Sequence, residues 1–311
     1  MAYIDLASKY LGPDVKTKIE HGVTVDINKN GIYTVTPDSK YEATSYVKVK
    51  VNTRSASQKV FAQISNIGVD GMLKSNSCGG REFRFDDAMS LECMFYGASI
   101  ITNPKINAPY VTDITMMFAE SNLQYIRSFF NCNKIESADF CFYDCKYLRF
   151  INAPISMPVV KSLYCTFAKT PISSIPVCDT RNCRCFKGTF RENCNLRYVD
   201  SIDTSGAYLV EGMFGRCDIL EHIGLLDFSK VISTKGLFDY DSNLTYLGGF
   251  IGLKVDLDLH RCNKLTPESI QRVIDAAAIT DKKHLILGIN NLNKLDDKQI
   301  GIATQKGWIL M

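Results

Sequence analysis

One segment of the chain, residues 209–224, reads LVEGMFGRCDILEHIG, and variants of it recur between Met94 and Phe238. Its most regular position is a phenylalanine that returns at intervals of 23, 24, 25, 23, 24 and 24 residues. The members of this column are Phe95, Phe118, Phe142, Phe167, Phe190, Phe214 and Phe238. Such a period is typical of repeat proteins, whose units are each too small to bury an apolar face alone and therefore stack on their neighbours.

An aliphatic pair follows each later phenylalanine, five or six and then eight or nine residues on. The pairs are Leu123 and Ile126, Leu148 and Ile151, Ile172 and Ile175, Leu196 and Val199, Leu220 and Ile223, Leu244 and Leu247. We expect each phenylalanine to end a short helical or irregular stretch, polar residues to form a corner, and the aliphatic pair to enter a strand. The sequence thus predicts an α/β solenoid of about 24-residue coils over residues 83–253.

The residues before the repeats predict three further segments. Asp5 is a candidate N-cap for a short helix within residues 1–21, either a packed cap or a docking segment. Alternating valines in residues 22–58, including Val47, Val49 and Val51, predict a small antiparallel β module with one solvated face. Residues 59–82 are expected to form a connector and N-terminal cap.

The last residues, 254–311, predict an atypical βα unit that serves as a C-terminal capping repeat. Thr266 is a candidate N-cap, and Ile270, Val273, Ile274 and Ala277 have the spacing of one buried helix face. Asp296 and Asp297 favour the start of a second helix, and residues 308–310 are expected to close the chain as a strand.

Composition excludes several functional classes. The 311 residues are 46% hydrophobic and carry a formal charge of only +3 without a basic stripe, which argues against nucleic acid as a partner. No apolar run approaches the roughly 20 residues of a membrane span, so we expect no membrane insertion.

The beginning of the sequence lacks signal-peptide features, and the 12 cysteines are dispersed, which indicates reduced thiols in a cytoplasmic setting. Cys145, Cys194 and Cys217 recur near one position of the repeat and are expected to be buried.

Candidate metal and catalytic residues are few. Cys178, Cys183 and Cys185 have C-x4-C-x-C spacing rather than paired C-x2-C, so a metal site is the minor alternative. Cys78-Gly79-Gly80 is better interpreted as a turn than as a phosphate loop. The histidines, His21, His222, His260 and His284, are scattered and are interpreted as structural or exposed.

Two pairs of carboxylates could in principle serve a glycan-cleaving enzyme: Asp239 with Asp241, and Asp256 with Asp258. Both lie where solvated carboxylates are common, so we expect no enzyme activity and no catalytic, cofactor-binding or metal residues. A cluster of Phe129, Phe130 and Phe140 is either core filling or an exposed ledge for a glycan, with core filling favoured.

Three stretches carry a resemblance to a known family. The repeats, as in residues 209–217, resemble the BspA-like leucine-rich repeats of bacterial surface proteins and of phages that infect gut Bacteroidetes. The tail, from Leu265-Thr266-Pro267 through Leu285-Ile286-Leu287-Gly288 to Gly307-Trp308, is similar to the closing segment of many such proteins. The stretch from Asn30-Gly31-Ile32 to Pro37, followed by Val47 to Val51, looks like a β module near the start of phage fibre and tail proteins.

The resemblance implies a leucine-rich-repeat protein of a phage virion, a head or tail fibre assembled in the host cytoplasm. It implies other virion proteins as partners of the N-terminal region, a bacterial surface glycan or protein as the target, and a homo-oligomeric state. The family supplies no catalytic residues. The alternative is a bacterial cell-surface adhesin or interaction module of the same type.

Overall fold

The computed structural model describes residues 2–5, 23–27, 33–37, 47–50, 82–85, 89–92, 95–97, 101–103, 105–127, 129–152, 155–175 and 177–311. The chain forms two compact units, Met1–Pro158 and Val159–Met311. The predicted segment boundaries at residues 21, 58, 82 and 253 stay predictions. The phosphate-loop alternative at residues 78–80, as well as Met94 and His21, lie outside the described residues.

The first unit contains short strands. They are β1 (Ala2–Asp5), β2 (Val23–Ile27), β3 (Tyr33–Pro37), β4 (Val47–Lys50), β5 (Glu82–Phe85), β6 (Lys105–Asn107), β7 (Tyr125–Ile126), β8 (Phe150–Ile151) and β9 (Ile155–Ser156). Strands β1, β4, β5 and β6 form a parallel sheet in that order, and β7 pairs in parallel with β8. Strands β2 and β3 pair antiparallel.

Two predictions for this unit need correction. Residues 2–5, expected to precede a helix capped by Asp5, form a strand that includes Asp5. Strand β4, expected in an antiparallel module with β2 and β3, instead pairs in parallel with β1 and β5. The alternation of valine and lysine predicts a strand but does not determine its partner, which is why the pairing was missed.

The second unit contains short strands and three helices. The strands are β10 (Val177–Cys178), β11 (Tyr198–Val199), β12 (His222–Ile223), β13 (Leu226–Asp227), β14 (Tyr246–Leu247), β15 (Phe250–Ile251), β16 (Leu257–Asp258), β17 (Lys283–Ile286) and β18 (Trp308–Leu310). The helices are α1 (Pro267–Ala276), α2 (Gly288–Leu292) and α3 (Asp297–Gln305). Three parallel sheets have the orders β11-β12-β14, β13-β15 and β16-β17-β18.

The phenylalanine column forms the core of both units. Phe95, Phe118 and Phe142 stack in the first unit, with ring centroids 5.1 and 5.6 Å apart. In the second unit Phe167, Phe190, Phe214 and Phe238 stack at 5.9, 5.8 and 6.0 Å. The side chains in this column are buried, which confirms their predicted place in the core.

Backbone turns surround each phenylalanine. Around Phe214, the N–H groups of Met213, Gly215 and Cys217 donate to the carbonyls three residues earlier, which closes three overlapping turns. The intervening N–H groups of Gly212, Phe214 and Arg216 donate to the carbonyls of Lys235, Leu237 and Asp239, one repeat further on. Turn bonds and inter-repeat bonds therefore alternate along the backbone.

The turns require left-handed backbone two residues before and two residues after the phenylalanine. Those positions have φ between 51° and 68° in every described instance. They are Gly97, Met116, Glu120, Phe140, Asp144, Cys165, Lys169, Gly188, Glu192, Gly212, Arg216, Gly236 and Tyr240. A left-handed residue at every fourth position is incompatible with a right-handed α-helix.

The predicted α/β leucine-rich-repeat solenoid is therefore wrong. In the described part of residues 83–253 there is no α-helix, and the strands are only two or three residues long beyond β5. These strands belong to separate small parallel sheets rather than to one continuous sheet. The left-handed residues explain the difference, because they break helices and confine extended backbone to the few residues between turns.

Helices α1 and α3 lie near the end of the chain and are both capped. Thr266 Oγ1 accepts a hydrogen bond from the Ser269 N–H, and Asp296 forms a reciprocal capping box with Gln299. Helix α1 buries Ile270, Val273 and Ile274, as its spacing predicts. Among the described residues, none of the helices has the length and apolar character that a membrane span requires.

Candidate functional site

The parallel register of the short strands aligns one aromatic position, which is exposed at Tyr125, Phe150 and Tyr198 and half-buried at His222 and Tyr246. The second aliphatic residue of the pair is buried in four repeats, as Ile126, Val199, Ile223 and Leu247, and half-buried in the other two, as Ile151 and Ile175. Side chains alternate along a strand, so the preceding residue faces outward. That outward position is aromatic in five repeats: Tyr125, Phe150, Tyr198, His222 and Tyr246.

In the second unit, Tyr198, His222 and Tyr246 occupy directly paired positions of β11, β12 and β14. The rings of His222 and Tyr246 are parallel, with centroids 4.2 Å apart and an interplanar angle of 4°. Tyr198 is tilted toward His222 at 6.4 Å and is 52% exposed. We call this set the second-unit aromatic surface.

Charged side chains flank the second-unit aromatic surface. Glu221 accepts hydrogen bonds from Arg197 Nη1 at 2.8 Å and from the hydroxyl of Tyr198 at 3.3 Å. The guanidinium of Arg272 lies over the Tyr246 ring, 5.6 Å from its centroid. Asp200 approaches His222 Nε2 at 3.7 Å. The rings are thus held in place by a network that also offers hydrogen-bond donors and acceptors at the rim.

The first unit has a corresponding surface. Tyr125 and Phe150 are paired in β7 and β8, and their rings stack at 5.4 Å with an angle of 8°. Together with Tyr147, Gln124 and Arg149 they line a concavity of about 280 Å³. Tyr147 and Phe150 are each 53% exposed. We call this set the first-unit aromatic surface.

Exposed stacked rings with polar neighbours are suited to ligands that have both an apolar face and hydroxyl groups. Burying aromatic area against the C–H face of a sugar ring is favourable, while the surrounding charged groups can bond its hydroxyls. Large apolar side chains exposed together on a folded protein commonly mark interaction sites. Both aromatic surfaces therefore fit a saccharide better than a wholly apolar ligand.

The cluster of Phe129, Phe130 and Phe140 was expected to be either core filling or an exposed ledge for a glycan, and the structure shows neither in full. Phe129 is half-buried beside the core column, with its ring 6.1 Å from Phe118 and 5.7 Å from Phe142. Phe130 is also half-buried and packs on Phe129 at 4.7 Å. Half-buried Phe140 is edge-on to Tyr143 and has left-handed backbone. The cluster mainly extends the core and is not the exposed aromatic surface.

The carboxylate pairs are placed differently from one another. Asp241, interpreted in the sequence as solvated, is instead completely buried, while its neighbour Asp239 is half-buried. Burial raises the pKa of Asp241 to about 8. Asp256 and Asp258 are exposed and each bonds a histidine: Asp256 Oδ1 lies 3.3 Å from His284 Nδ1, and Asp258 Oδ1 lies 2.6 Å from His260 Nδ1.

The thiols of Cys132, Cys141, Cys145, Cys185, Cys194, Cys217 and Cys262 form no disulfide. Cys145 and Cys217 are buried as predicted, and their thiols donate to the carbonyls of Phe118 and Phe190 at 3.0 and 3.1 Å. Cys194 is exposed, which corrects its predicted burial. Cys183 bonds the carbonyl of Cys185. Within the part of the chain that the structure describes, no three His, Cys, Asp or Glu side chains are grouped to hold a metal ion.

The aromatic surfaces were not predicted from the sequence, although a repeated pattern of residues indicates them. The aliphatic pairs read LQYI at 123–126, LRFI at 148–151, LRYV at 196–199, LEHI at 220–223 and LTYL at 244–247. An aromatic residue directly before a buried aliphatic residue, repeated in register, indicates a ring column on the outer face of paired strands.

Comparison of the chain with protein-family models, curated proteins and solved structures finds no match in any of the three.

Proposed function

We propose that this protein is a non-enzymatic attachment protein whose two aromatic surfaces contact a saccharide on a bacterial surface. The observation that carries the proposal is the stack of half-buried His222 and Tyr246 with exposed Tyr198 beside it, on three strands that pair in register. Rings fixed in this way lose little conformational freedom when a ligand binds, which favours affinity.

The proposed setting is a phage virion, in which the protein is a head or tail fibre component assembled in the host cytoplasm. This part rests on the resemblance of the repeats, the tail and the early β segment to phage and bacterial surface proteins. Other virion proteins would bind the N-terminal region, and several copies would present their aromatic surfaces together. Multivalent presentation would strengthen weak individual contacts with a repetitive saccharide.

Binding of the labelled chain to bacterial cells tests the attachment role. We expect Tyr198→Ala with Tyr246→Ala, and Tyr125→Ala with Phe150→Ala, each to weaken binding about tenfold, because each pair removes two stacking rings worth roughly 0.5–1.5 kcal/mol apiece. Tyr208→Ala is the matched control, because Tyr208 is 43% exposed and lies outside both surfaces. Equal binding by all variants would reject the proposed contact.

Mass spectrometry and electron microscopy of purified phage particles test the virion setting separately. The proposal predicts this chain at fixed copy number, projecting from a capsid or tail. Absence from particles, together with its presence on bacterial cells, would instead support the adhesin alternative.

A further inference from the structure

A separate cavity of about 350 Å³ lies in the second unit, next to strands β16 and β17. Charged residues of both signs line it: Asp256, Asp258, Lys235 and Lys283. Its volume is at the lower end of the range for small-molecule sites. The aromatic surfaces contribute none of its lining residues, so the cavity is a separate site.

The two carboxyl groups are held in place by backbone donors. Asp256 Oδ1 accepts from the N–H of His284 at 2.8 Å, and Asp258 Oδ1 accepts from the N–H of His260 at 3.0 Å. Both contacts leave the second oxygen, Oδ2, without a hydrogen-bond partner among the described residues. The carboxylates are therefore oriented in advance while half of their accepting capacity remains open.

The opposite charges at the cavity do not neutralise one another. Within the described residues, the ammonium groups of Lys235 and Lys283 form no ion pair within 4.0 Å of Asp256 or Asp258. Serine and threonine at positions 233 and 234 add hydroxyl-bearing residues to the lining. Asp256 and Asp258 contact His284 and His260 through Oδ1, but neither pairs with a lysine of the cavity. A concave site whose carboxylates and ammonium groups do not pair with one another is complementary to a ligand that itself carries both signs.

We infer that this cavity binds a small zwitterionic ligand, in which an ammonium group pairs with Asp256 and Asp258 and a carboxylate pairs with Lys235 and Lys283. Two sources share this chemistry: an amino sugar that bears a carboxylate, and a free or peptide-derived amino acid. The inference is independent of the proposed attachment role, because it uses different residues and a different ligand charge.

Isothermal titration calorimetry on the full chain, with muramic acid and alanine as zwitterionic probes, tests the inference. N-acetylmuramic acid lacks the ammonium group and glucosamine lacks the carboxylate. We expect at least one zwitterion to bind tenfold or more tightly than either singly charged sugar. Preference for muramic acid assigns the saccharide source, and preference for alanine the amino-acid source. Binding by neither zwitterion, or equal binding of all four probes, would overturn the inference.

Substitutions of residues that line the cavity test whether the zwitterion binds there. Asp258→Asn keeps an oxygen to accept from the His260 N–H but removes the charge, and Lys283→Met removes the ammonium while retaining a linear apolar side chain. Each is expected to weaken binding of the zwitterion at least tenfold. Lys230→Met, an exposed lysine outside the cavity, is the control. Circular dichroism verifies folding, and unchanged affinity in both folded cavity variants would contradict the assignment.

Discussion

The buried carboxyl group of Asp241 accepts a hydrogen bond from the backbone N–H of Cys217 over 2.7 Å. Its other oxygen, Oδ2, is buried without a hydrogen-bond partner. Asp241 lies three residues after Phe238, and that position in the other described repeats is buried and uncharged. The equivalent residues are Ser121, Cys145, Thr170, Asn193 and Cys217. Asp241 is therefore the acidic member of an otherwise neutral buried column.

Replacing Asp241 with Asn should make the protein more stable at high pH. Burial raises the pKa of Asp241 to about 8, so the folded chain keeps the proton, whereas the unfolded chain loses it near pH 3.9. The free energy of unfolding contributed by this group is greatest below about pH 4 and is lost as pH rises through about 8. We expect the advantage of Asp241→Asn over the wild type to be roughly 5 kcal/mol larger at pH 9 than at pH 4.

Urea denaturation at pH 4.5, 7 and 9 measures this difference. The gain from Asp241→Asn should grow with pH, and Asp281→Asn, at an exposed position, should show no such trend. Asn is a suitable replacement because Asn193, at the equivalent position, accepts from the N–H groups of Asn195 and Leu196. A gain that does not change with pH would refute the buried, protonated state of Asp241.

Phe190→Ala should destabilise the chain by about 3–5 kcal/mol. The ring of Phe190 is completely buried and stacks on both Phe167 and Phe214, so its removal leaves a cavity and two unpaired ring faces. Chemical denaturation followed by circular dichroism checks the loss. Tyr198→Ala, at a 52% exposed position, should cost less than about 1 kcal/mol, and a comparable loss in both variants would contradict the assigned core.

Gly212→Ala and Gly301→Ala should change stability in opposite directions. Gly212 has φ of +62°, and a Cβ there would lie 3.1 Å from Arg191 Nη1, so alanine is expected to cost about 1–2 kcal/mol. Gly301 lies within α3 with nothing within 4 Å of an added Cβ, so alanine should stabilise by about 0.5–1 kcal/mol. Thermal unfolding of the two variants distinguishes them, and a stabilised Gly212→Ala would argue against the left-handed turn.

Cys194 should react with iodoacetamide well before Cys145 and Cys217 in the folded chain. Cys194 is exposed, whereas burial raises the pKa of Cys145 to about 12 and that of Cys217 well above its usual value, which suppresses the reactive thiolate. Peptide mapping by mass spectrometry after timed labelling gives the order, with urea-unfolded protein as the reference for full reactivity. Labelling of all three at one rate under native conditions would contradict the buried sites.

The buried column could be predicted because seven phenylalanines at nearly constant spacing leave few alternatives to stacking. The local backbone could not, because six left-handed positions two residues after a phenylalanine carry ordinary side chains. They are Glu120, Asp144, Lys169, Glu192, Arg216 and Tyr240. Glycine would have indicated turns there, whereas these residues are compatible with a helix, and the helical alternative led to the wrong fold class.

The burial of Asp241, the aromatic surfaces and the cavity were harder to predict from the sequence than the phenylalanine core. Asp241 follows a phenylalanine in a polar stretch, which resembles a solvated corner, and only the stacking of repeats shows that it is buried. The rings of Tyr198, His222 and Tyr246 are 24 residues apart in sequence, so their contact depends on exact register. The cavity between β16, β17 and residues 232–236 likewise depends on tertiary packing that no local pattern encodes.

NMR on the chain with ¹³C-labelled Tyr and His rings tests most directly whether the second-unit aromatic surface contacts a surface saccharide. Titration with fragments of host surface polysaccharide should shift the ring signals of Tyr198, His222 and Tyr246, while Tyr208 stays unchanged. Fragments that bind without perturbing these three rings, or saturating concentrations that produce no shift in any aromatic signal, would contradict the claim.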